Sequence, residues 1–505
     1  MLSVFDQGAH APCPSPFNLT EYVLGAANSP DAATALRLVG ADSAEVWTYG
    51  ALRRAVFGTA SGLLGHGLRA GDILLMRVGN SVDFPILFLA AIAVGVVPVP
   101  TSAQLTEREV ARQIEVLAPK AIVRAPGIAC PPTANTIALD TARGWRDSPA
   151  AAPVKGEADR LAYIVFTSGT SGTPRAVAHA HRAVWARRMM IDDWAGLRAT
   201  DRLMHAGAFN WTYTLGTGLL DPWTCGATAI IPQEGTPTRA LMPLLAREKA
   251  TVFAAAPGVY RQMLRDTPEA RLPDLRHGLS AGEKLATSLA ERWQAVTRTP
   301  IFEAYGMSEC STFISSSPDR PARPNALGQP QRGRKLAVVD ARGPVALGMP
   351  GTIAVHQSDP GLMLGYLGDK EATQARFQGE WFLTGDQAVA DNAFHITYLG
   401  RDDDMINAGG LRVSPIEIES VLNAHPCITA SAAVEARISD DTAVIALYYT
   451  AAAKVDETAL HGYVSDKLAR YKQPRLYFHL AELPAGANGK IHRRVLRDRS
   501  KAEND

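Results

Sequence analysis

The stretch Tyr163-Ile-Val-Phe-Thr-Ser-Gly-Thr-Ser-Gly-Thr-Pro-Arg175 reads as a buried strand running straight into a loop of hydroxyls and glycines that ends in a cation. Such a loop suits a polyphosphate. Its glycines (Gly169, Gly172) let the backbone come close, and consecutive N–H groups can form an anion nest. Thr167, Ser168, Thr170, Ser171 and Thr173 add donors, and Arg175 brings positive charge to the far end. The loop is neither a Walker A sequence, which needs Gly-Lys-Ser/Thr at fixed spacing, nor GxGxxG. The plain alternative is a polar surface loop between a strand and a helix.

N-terminal to this stretch, helix and strand alternate. Thr48 caps a helix with Leu52, Val56 and Leu63 on one face; Gly71-Asp72 turns into a strand from Ile73; Thr106-Glu-Arg-Glu109 is a capping box; Ala121–Arg124 is a strand. This alternation predicts a parallel sheet with helices on both faces. The apolar run from Phe84 to Pro100 is broken by Pro85, Gly95 and Pro98, whereas a bilayer span needs about 20 uninterrupted apolar residues. It predicts a buried helix and then a strand, Val96–Val99. Residues 126–160, rich in Ala and Pro, read as a surface connection, and a second α/β run covers 161–330.

From Lys335 to Leu399 the pattern changes to short β-like segments with Gly turns, predicting a small, mostly antiparallel unit. Gly400-Arg-Asp-Asp-Asp404 is a charged break. The remainder reads as an α+β module: helix Pro415–Ala424, strands Ile428–Val434 and Thr442–Tyr449, helix Glu457–Ala469, then a flexible basic tail. The expected fold is α/β. A large N-terminal domain over 1–402 would hold two α/β subdomains and a small β unit, and a small mobile α+β domain would cover 403–505.

At 505 residues, the chain exceeds what one hydrophobic core organises. With 51 basic and 50 acidic residues the net charge is +1, so no overall field recruits nucleic acid or an anionic membrane. The five cysteines are scattered without CxxC spacing, which argues against a zinc site or disulfide framework and fits a reducing cytoplasm. The first residues lack the pattern of a signal peptide.

Further short motifs carry chemistry. In Tyr305-Gly-Met-Ser-Glu309, Ser308 can bond a phosphate oxygen, Glu309 can hold Mg²⁺ together with phosphate oxygens, and Tyr305 offers a flat face to a base. Thr384-Gly-Asp386 can present a carboxylate to a ribose diol. Pro484-Ala-Gly-Ala-Asn-Gly-Lys490 is a glycine-bearing loop that projects one lysine. Read singly, each is an ordinary turn or charge run.

In their order and spacing these motifs resemble the adenylate-forming superfamily of acyl- and aryl-CoA synthetases, peptide-synthetase adenylation domains and firefly luciferase. The resemblance runs from about Thr48 to Lys490. It rests on Phe166–Arg175, Ser280-Ala-Gly-Glu283, Tyr305–Glu309, Thr384–Asp386, Gly400-Arg-Asp-Asp-Asp-Met-Ile-Asn407 and Gly489-Lys490. The segment Phe209-Asn-Trp-Thr through Asp221-Pro-Trp-Thr-Cys-Gly-Ala is most similar to medium-chain acyl-CoA and benzoate-type CoA ligases.

The resemblance implies an AMP-forming ligase that turns a carboxylic acid and ATP into acyl-AMP and pyrophosphate, then passes the acyl group to coenzyme A. It implies that Thr167, Ser168, Gly169, Thr170, Ser171, Gly172 and Arg175 hold the β- and γ-phosphates. Ala281, Gly282 and Glu283 would line one side of the adenine, and Ala304, Tyr305, Gly306 and Met307 the other. Ser308 would meet the α-phosphate, Glu309 Mg²⁺, and Asp386 and Arg401 the ribose. Lys490 would stabilise charge developing between the carboxylate and the α-phosphate. Asp403 would be the hinge of a domain swing that removes Lys490 for the thiol step. Gly409 and Gly410 would leave room for the pantetheine arm, and Arg412, Gln473, Pro474 and Arg475 would approach the coenzyme A phosphates.

Arg175 and Ala176 stand where the family usually has Lys-Gly, and a forked guanidinium is not equivalent to an ammonium. Gly306 occupies the place of a bulky Trp in acetate-specific relatives, which implies a larger acid. Phe209, Trp211, Tyr213 and Cys310–Ile314 are pocket candidates, and the absence of a cationic pocket motif suggests an acid with an uncharged tail. The expected partners are this acid, ATP and coenzyme A, with a homodimer as a possible assembly and no integral membrane segment. Two other readings remain open: an enzyme that loads a carrier-protein thiol, and a non-catalytic nucleotide- or acyl-binding homologue.

Overall fold

A computed structural model gives the protein's three-dimensional structure. It describes every residue except 9, 26, 134, 168–173, 266, 268, 403, 409–410, 440–441, 486–490 and 503–505. The chain packs as two units. The larger comprises Phe5–Lys335 and Val355–Phe382; the smaller comprises Met1–Val4, Leu336–Ala354 and Leu383–Asp505.

The larger unit contains the expected parallel sheet. Val97–Pro100, Ile73–Arg77, Ala121–Arg124 and Thr136–Ala138 are neighbours in that order, and every pairing is parallel. Alternation along the strands sends side chains to both faces. Leu74, Met76 and Val123 pack with the helices Tyr49–Gly65 and Asp83–Ala93, and Leu75, Val97 and Ile122 pack with Val110 and Leu117 of the helix Glu107–Leu117. Thr48 caps the first helix, and the Thr106–Glu109 capping box closes at both ends.

Residues 126–160 are more than a surface connection. They supply the fourth strand and the short helix Leu139–Arg143, with Ile137, Leu139 and Ala142 buried. Arg143 and Arg146 both pair with the buried carboxylate of Asp83. The Ala-rich composition hid this because the segment anchors through two arginines and three apolar side chains rather than a long periodic stripe.

A second sheet of nine strands runs Gln329–Pro330, Ser311–Ser315, Ile301–Met307, His277–Ser280, Val252–Ala255, Arg202–His205, Thr228–Pro232, Thr34–Val39 and Ala44–Thr48. Its centre, from Ile301–Met307 to Thr34–Val39, is parallel throughout. Carboxyl ends of adjacent parallel strands are the usual place for a ligand in such a sheet.

The stretch quoted at the outset does not lead into a helix. Leu161–Thr167 pairs antiparallel with Arg175–Ala180, in register from Leu161↔Ala180 to Thr167↔Arg175. The hydroxyl-rich loop therefore closes a β-hairpin, whose third strand is Gly365–Tyr366. Val177, Ala178, His179 and Ala180 continue as strand because their alternating side chains bury on both faces.

In the smaller unit, Asp386–Ala390 pairs antiparallel with Ile396–Arg401, from Asp386↔Arg401 to Ala390↔Ile396. Further along, Ile428–Ser439 pairs antiparallel with Thr442–Ala451, which pairs parallel with Leu476–His479, a strand not expected from the sequence. The helices Pro415–Asn423 and Glu457–Ser465, capped by Ser414 and Asp456, bury Ile418, Leu422, Leu460 and Val464 against one face of this sheet. The basic tail forms a helix, Arg493–Ala502. Leu496 packs with Val434 and Tyr448 on the opposite face, and Arg493 grips Glu419 through two bonds of 2.7 and 2.8 Å. Two adjacent apolar residues among arginines, Val495 and Leu496, of which only Leu496 is buried, are too weak a pattern to announce this helix.

Candidate active site

Thr167 and Arg175 form the last register pair of the hairpin, so both ends of the loop are pinned to one rung. Ser168, Gly169, Thr170, Ser171 and Gly172 lie outside the described residues. Arg175, Val177 and His179 share one face of their strand, while Ala176 points to the other and packs among Val97, Val99 and Ile164. The methyl of Ala176 thus has an apolar home, which explains an alanine where a glycine was expected.

Arg175 places its guanidinium carbon 5.0 Å from the ring centroid of Tyr366, a cation–π arrangement that a planar fork suits well. The Tyr366 hydroxyl in turn donates to Glu309 Oε1 at 2.8 Å. Burial, with Glu309 adding to it, pushes the phenol up to about 12, so it stays a donor. Four positions along from Arg175, His179 Nε2 donates to the Ser308 carbonyl at 2.8 Å, and its ring stacks on Tyr163 at 4.9 Å. Burial pushes this imidazole down to about 4. The strand after the loop therefore reaches Ser308 directly and Glu309 through Tyr366.

The segment after Tyr305 is held from several sides. Met363 N–H donates to the Glu309 carbonyl at 2.7 Å. Ser311 adopts φ 62, which serine rarely does, and Arg187 Nη1 donates to its Oγ at 2.6 Å. Arg187 is buried and forms a two-bond pair with Asp221 at 2.6 and 2.7 Å. Arg334, buried with its partner Asp359 at 2.5 Å, donates to the Thr312 carbonyl. Gly306 is dictated by the main chain, since a Cβ there would overlap the Ser311 carbonyl oxygen and Thr312 Cα. Its lack of a side chain is thus no measure of acyl-pocket size.

The two expected adenine walls arise side by side. His277–Ser280 and Ile301–Met307 are parallel neighbours in register Ser280↔Glu303, so Ala281–Glu283 and Ala304–Met307 follow each other across the carboxyl ends of two adjacent strands. Buried Glu303 ties them together, accepting from Lys284 Nζ at 2.6 Å and from Leu285 N–H at 2.7 Å. Tyr305 packs edge-on against Phe313 at 5.3 Å.

The pocket candidates separate. Phe209 is fully buried and stacks on Phe84 at 5.4 Å, inside the core around the first sheet. Trp211 and Tyr213 meet edge-on at 5.1 Å in a different cluster, with Ala281, Ala304 and Leu279. Trp211 borders the segment expected to line the adenine: a Cβ on Gly282 would lie 2.9 Å from Trp211 Cζ2.

In the smaller unit, Asp386 is buried and receives the Tyr398 hydroxyl at 3.0 Å; Arg401 Nη1 stands 3.9 Å from its other oxygen. Burial and the Asp386 charge push the Tyr398 phenol upward. Gln473 donates to the Leu468 carbonyl at 2.8 Å, Pro474 is buried and Arg475 is exposed. Arg412 lies on the strand Leu411–Val413. Asp403, Gly409, Gly410 and Lys490 lie outside the described residues. Asp404, beside the expected hinge, is approached by Arg497 at 3.1 Å and Arg493 at 3.8 Å.

Tyr366, His179, Arg187 and Tyr398 were not singled out from the sequence. His179 had a signal, lying four residues after Arg175 on a strand and so on its face. Arg187 and Asp221 also had one, as charges in apolar surroundings. Tyr366 had none, because pairing with the distant Arg175–Ala180 strand is what positions it. One carboxylate, Glu309, suits a Mg²⁺ shared with substrate phosphates, which takes one or two protein carboxylates. No cluster of three or more His, Cys, Asp or Glu able to hold a metal occurs among the described residues.

Residues 25–367 match the AMP-binding enzyme family. The benzoate–CoA ligase of Thauera aromatica is 31% identical over 484 residues, covering 90% of this chain and 91% of that one. The 3-hydroxybenzoate–CoA ligase of Aromatoleum sp. (strain CIB) is 28% identical, covering 90% and 92%. The crystal structure of ATP-bound MatB from Rhodopseudomonas palustris superposes with a TM-score of 0.87 at 25% identity, covering 97% of this chain and 100% of that one.

Proposed function

The chain belongs to the AMP-binding enzyme family, and from that premise we propose which acid it activates and what each site residue does. It is an AMP-forming acid–thiol ligase: a carboxylate attacks the α-phosphate of ATP, pyrophosphate leaves, and a thiol displaces AMP from the acyl-AMP. The proposed thiol is coenzyme A, the proposed metal Mg²⁺, and the proposed acid an aromatic or medium-chain carboxylate with an uncharged tail. The ligase names of the relatives support the first, and the aromatic pair Trp211–Tyr213 beside Gly282 supports the last.

The observation that carries this reading is the continuous link Arg175–Tyr366–Glu309, with His179 on the Ser308 carbonyl. The attacking carboxylate and the ATP phosphates are both anionic and repel each other, so the protein must position two anions and neutralise their charge. Thr167, the 168–172 loop and Arg175 would bind the β- and γ-phosphates. Ser308 would hold the α-phosphate, and Glu309 would hold Mg²⁺, which supplies charge neutralisation when bound. Ala281–Glu283 and Ala304–Met307 would enclose the base, and Asp386 with Arg401 the ribose. Lys490 would steady the charge developing at the α-phosphate. Asp403 would be the hinge at a 402/403 domain boundary. Gly409, Gly410, Arg412, Gln473, Pro474 and Arg475 would serve coenzyme A. Five unpaired cysteines fit a reducing compartment, so a cytoplasmic location is proposed; no helix among the described residues is long and apolar enough to cross a membrane.

The test is ATP–pyrophosphate exchange and AMP release with a panel of short, medium-chain and aromatic acids, Mg²⁺ and coenzyme A. Acid-dependent exchange with thioester formation on free coenzyme A is expected. Exchange followed by transfer only to a holo carrier protein would replace coenzyme A as acceptor, and no exchange with any acid would overturn the reading. Lys490→Ala is expected to abolish exchange while sparing thioester formation from supplied acyl-AMP; equal loss of both steps would sink the domain swing.

A further inference from the structure

His205 ends the strand Arg202–His205 and is fully buried, yet neither ring nitrogen has a hydrogen-bond partner. Thr214 is fully buried too, and its Oγ1 has none either. The two side chains are neighbours: a Cβ built on Gly207 would collide with Thr214 Oγ1 and lie 3.0 Å from His205 Cε1. Native interiors seldom leave buried polar atoms unpaired, and three in one place call for a partner that the chain does not supply.

Their location says what kind of partner. The imidazole meets Tyr213 edge-on at 4.4 Å and Trp211 at 6.3 Å, so it adjoins the aromatic pair that borders Gly282. Tyr213 does not satisfy it, because its hydroxyl donates to the Leu279 carbonyl at 3.0 Å. Burial pushes the imidazole down to about 3, so the ring is neutral and offers one donor and one acceptor. With the threonine hydroxyl beside it, this pair complements a group that both donates and accepts.

We propose that His205 and Thr214 are specificity-determining residues that read a hydroxyl or amino substituent on the ring of an aromatic acid. The proposal rests on the ligase reading and narrows its substrate from aromatic or medium-chain acids to polar-substituted aromatic ones. A site built to hydrogen-bond such a group discriminates strongly against the analogue lacking it, because its own buried polar atoms are then left unpaired.

The test is kcat/KM for the full-length enzyme with benzoate, the three hydroxybenzoates, the three aminobenzoates, the three methylbenzoates and hexanoate. One hydroxy- or aminobenzoate is expected to exceed both benzoate and its own methyl isostere by about tenfold or more. His205→Leu and Thr214→Val are each expected to shrink that ratio, lowering the polar acid more than benzoate. Equal use of polar and methyl analogues, preference for hexanoate, or an equal loss for every acid in the variants would overturn the proposal while leaving the ligase reading intact. Should His205→Leu not fold, Thr214→Val and the wild-type panel still decide. Absence of exchange with every acid overturns both readings.

Discussion

Tyr366 donates its hydroxyl to Glu309 Oε1 at 2.8 Å while its ring carries the Arg175 guanidinium at 5.0 Å. One side chain thus joins the cation at the end of the proposed phosphate loop to the carboxylate proposed for the metal. Tyr366→Phe keeps the ring beneath Arg175 and removes the donor. One hydrogen bond is worth about 1 kcal/mol, so a fall of roughly fivefold in ATP–pyrophosphate exchange is expected, with a raised Mg²⁺ requirement. An unchanged Mg²⁺ dependence would separate Tyr366 from the metal.

Arg175→Lys retains the charge but not the plane that lies on Tyr366. The expected outcome is a several-fold change in the apparent affinity for ATP with the reaction preserved, on the order of 1 kcal/mol for a stacked cation. Initial rates over a range of ATP concentrations measure it. Loss of all exchange would mean the fork itself is indispensable.

Arg187 and Asp221 are buried together, and Arg187 also holds Ser311. Arg187→Met leaves an uncompensated buried carboxylate and should cost about 3–5 kcal/mol, whereas the double variant Arg187→Met, Asp221→Leu should recover part of that loss. Guanidinium unfolding of the two variants checks this. If the double variant is no more stable than the single, the penalty lies elsewhere.

Acid should destabilise the larger unit. Burial lowers His179 and His277 from 6.5 to about 4, and His181 and His205 to about 3. Between those values the unfolded chain binds protons that the folded chain refuses. Stability is therefore complete above about pH 6.5 and falls as the pH drops toward 4, each imidazole adding a slope of about 1.4 kcal/mol per pH unit. Unfolding midpoints at pH 7.5, 6.5, 5.5 and 5 report it, and a flat profile would contradict neutral buried imidazoles.

The contrast between Thr106–Glu109 and Tyr366 shows which features the sequence could announce. A capping box, a helix stripe or a parallel α/β alternation is decided within about ten residues of chain, so Thr106, Leu52 and the Ala121–Arg124 strand were legible. The order of Thr167–Arg175, Tyr305–Glu309 and Asp386 was legible as a family resemblance. What could not be read was decided by pairing across distance. His179 reaches Ser308 because two sheets adjoin, Tyr366 reaches Glu309 because a two-residue strand joins the hairpin, and Arg493 reaches Glu419 because a short helix covers a sheet face. The hairpin was not legible for the same reason, since only the pairing of Leu161–Thr167 with Arg175–Ala180 shows that the chain turns back between Thr167 and Arg175.

The pairing of Tyr366 with Glu309 also has an order in time. As the chain emerges from a ribosome, residues 163–309 contain the proposed phosphate loop and the proposed metal carboxylate, but the phenol that joins them arrives 57 residues after Glu309. Until then Glu309 lacks its donor and Arg175 its aromatic platform. A nascent chain or proteolytic fragment that stops short of Tyr366 would carry both signature motifs intact in sequence and still lack the piece that makes them one site.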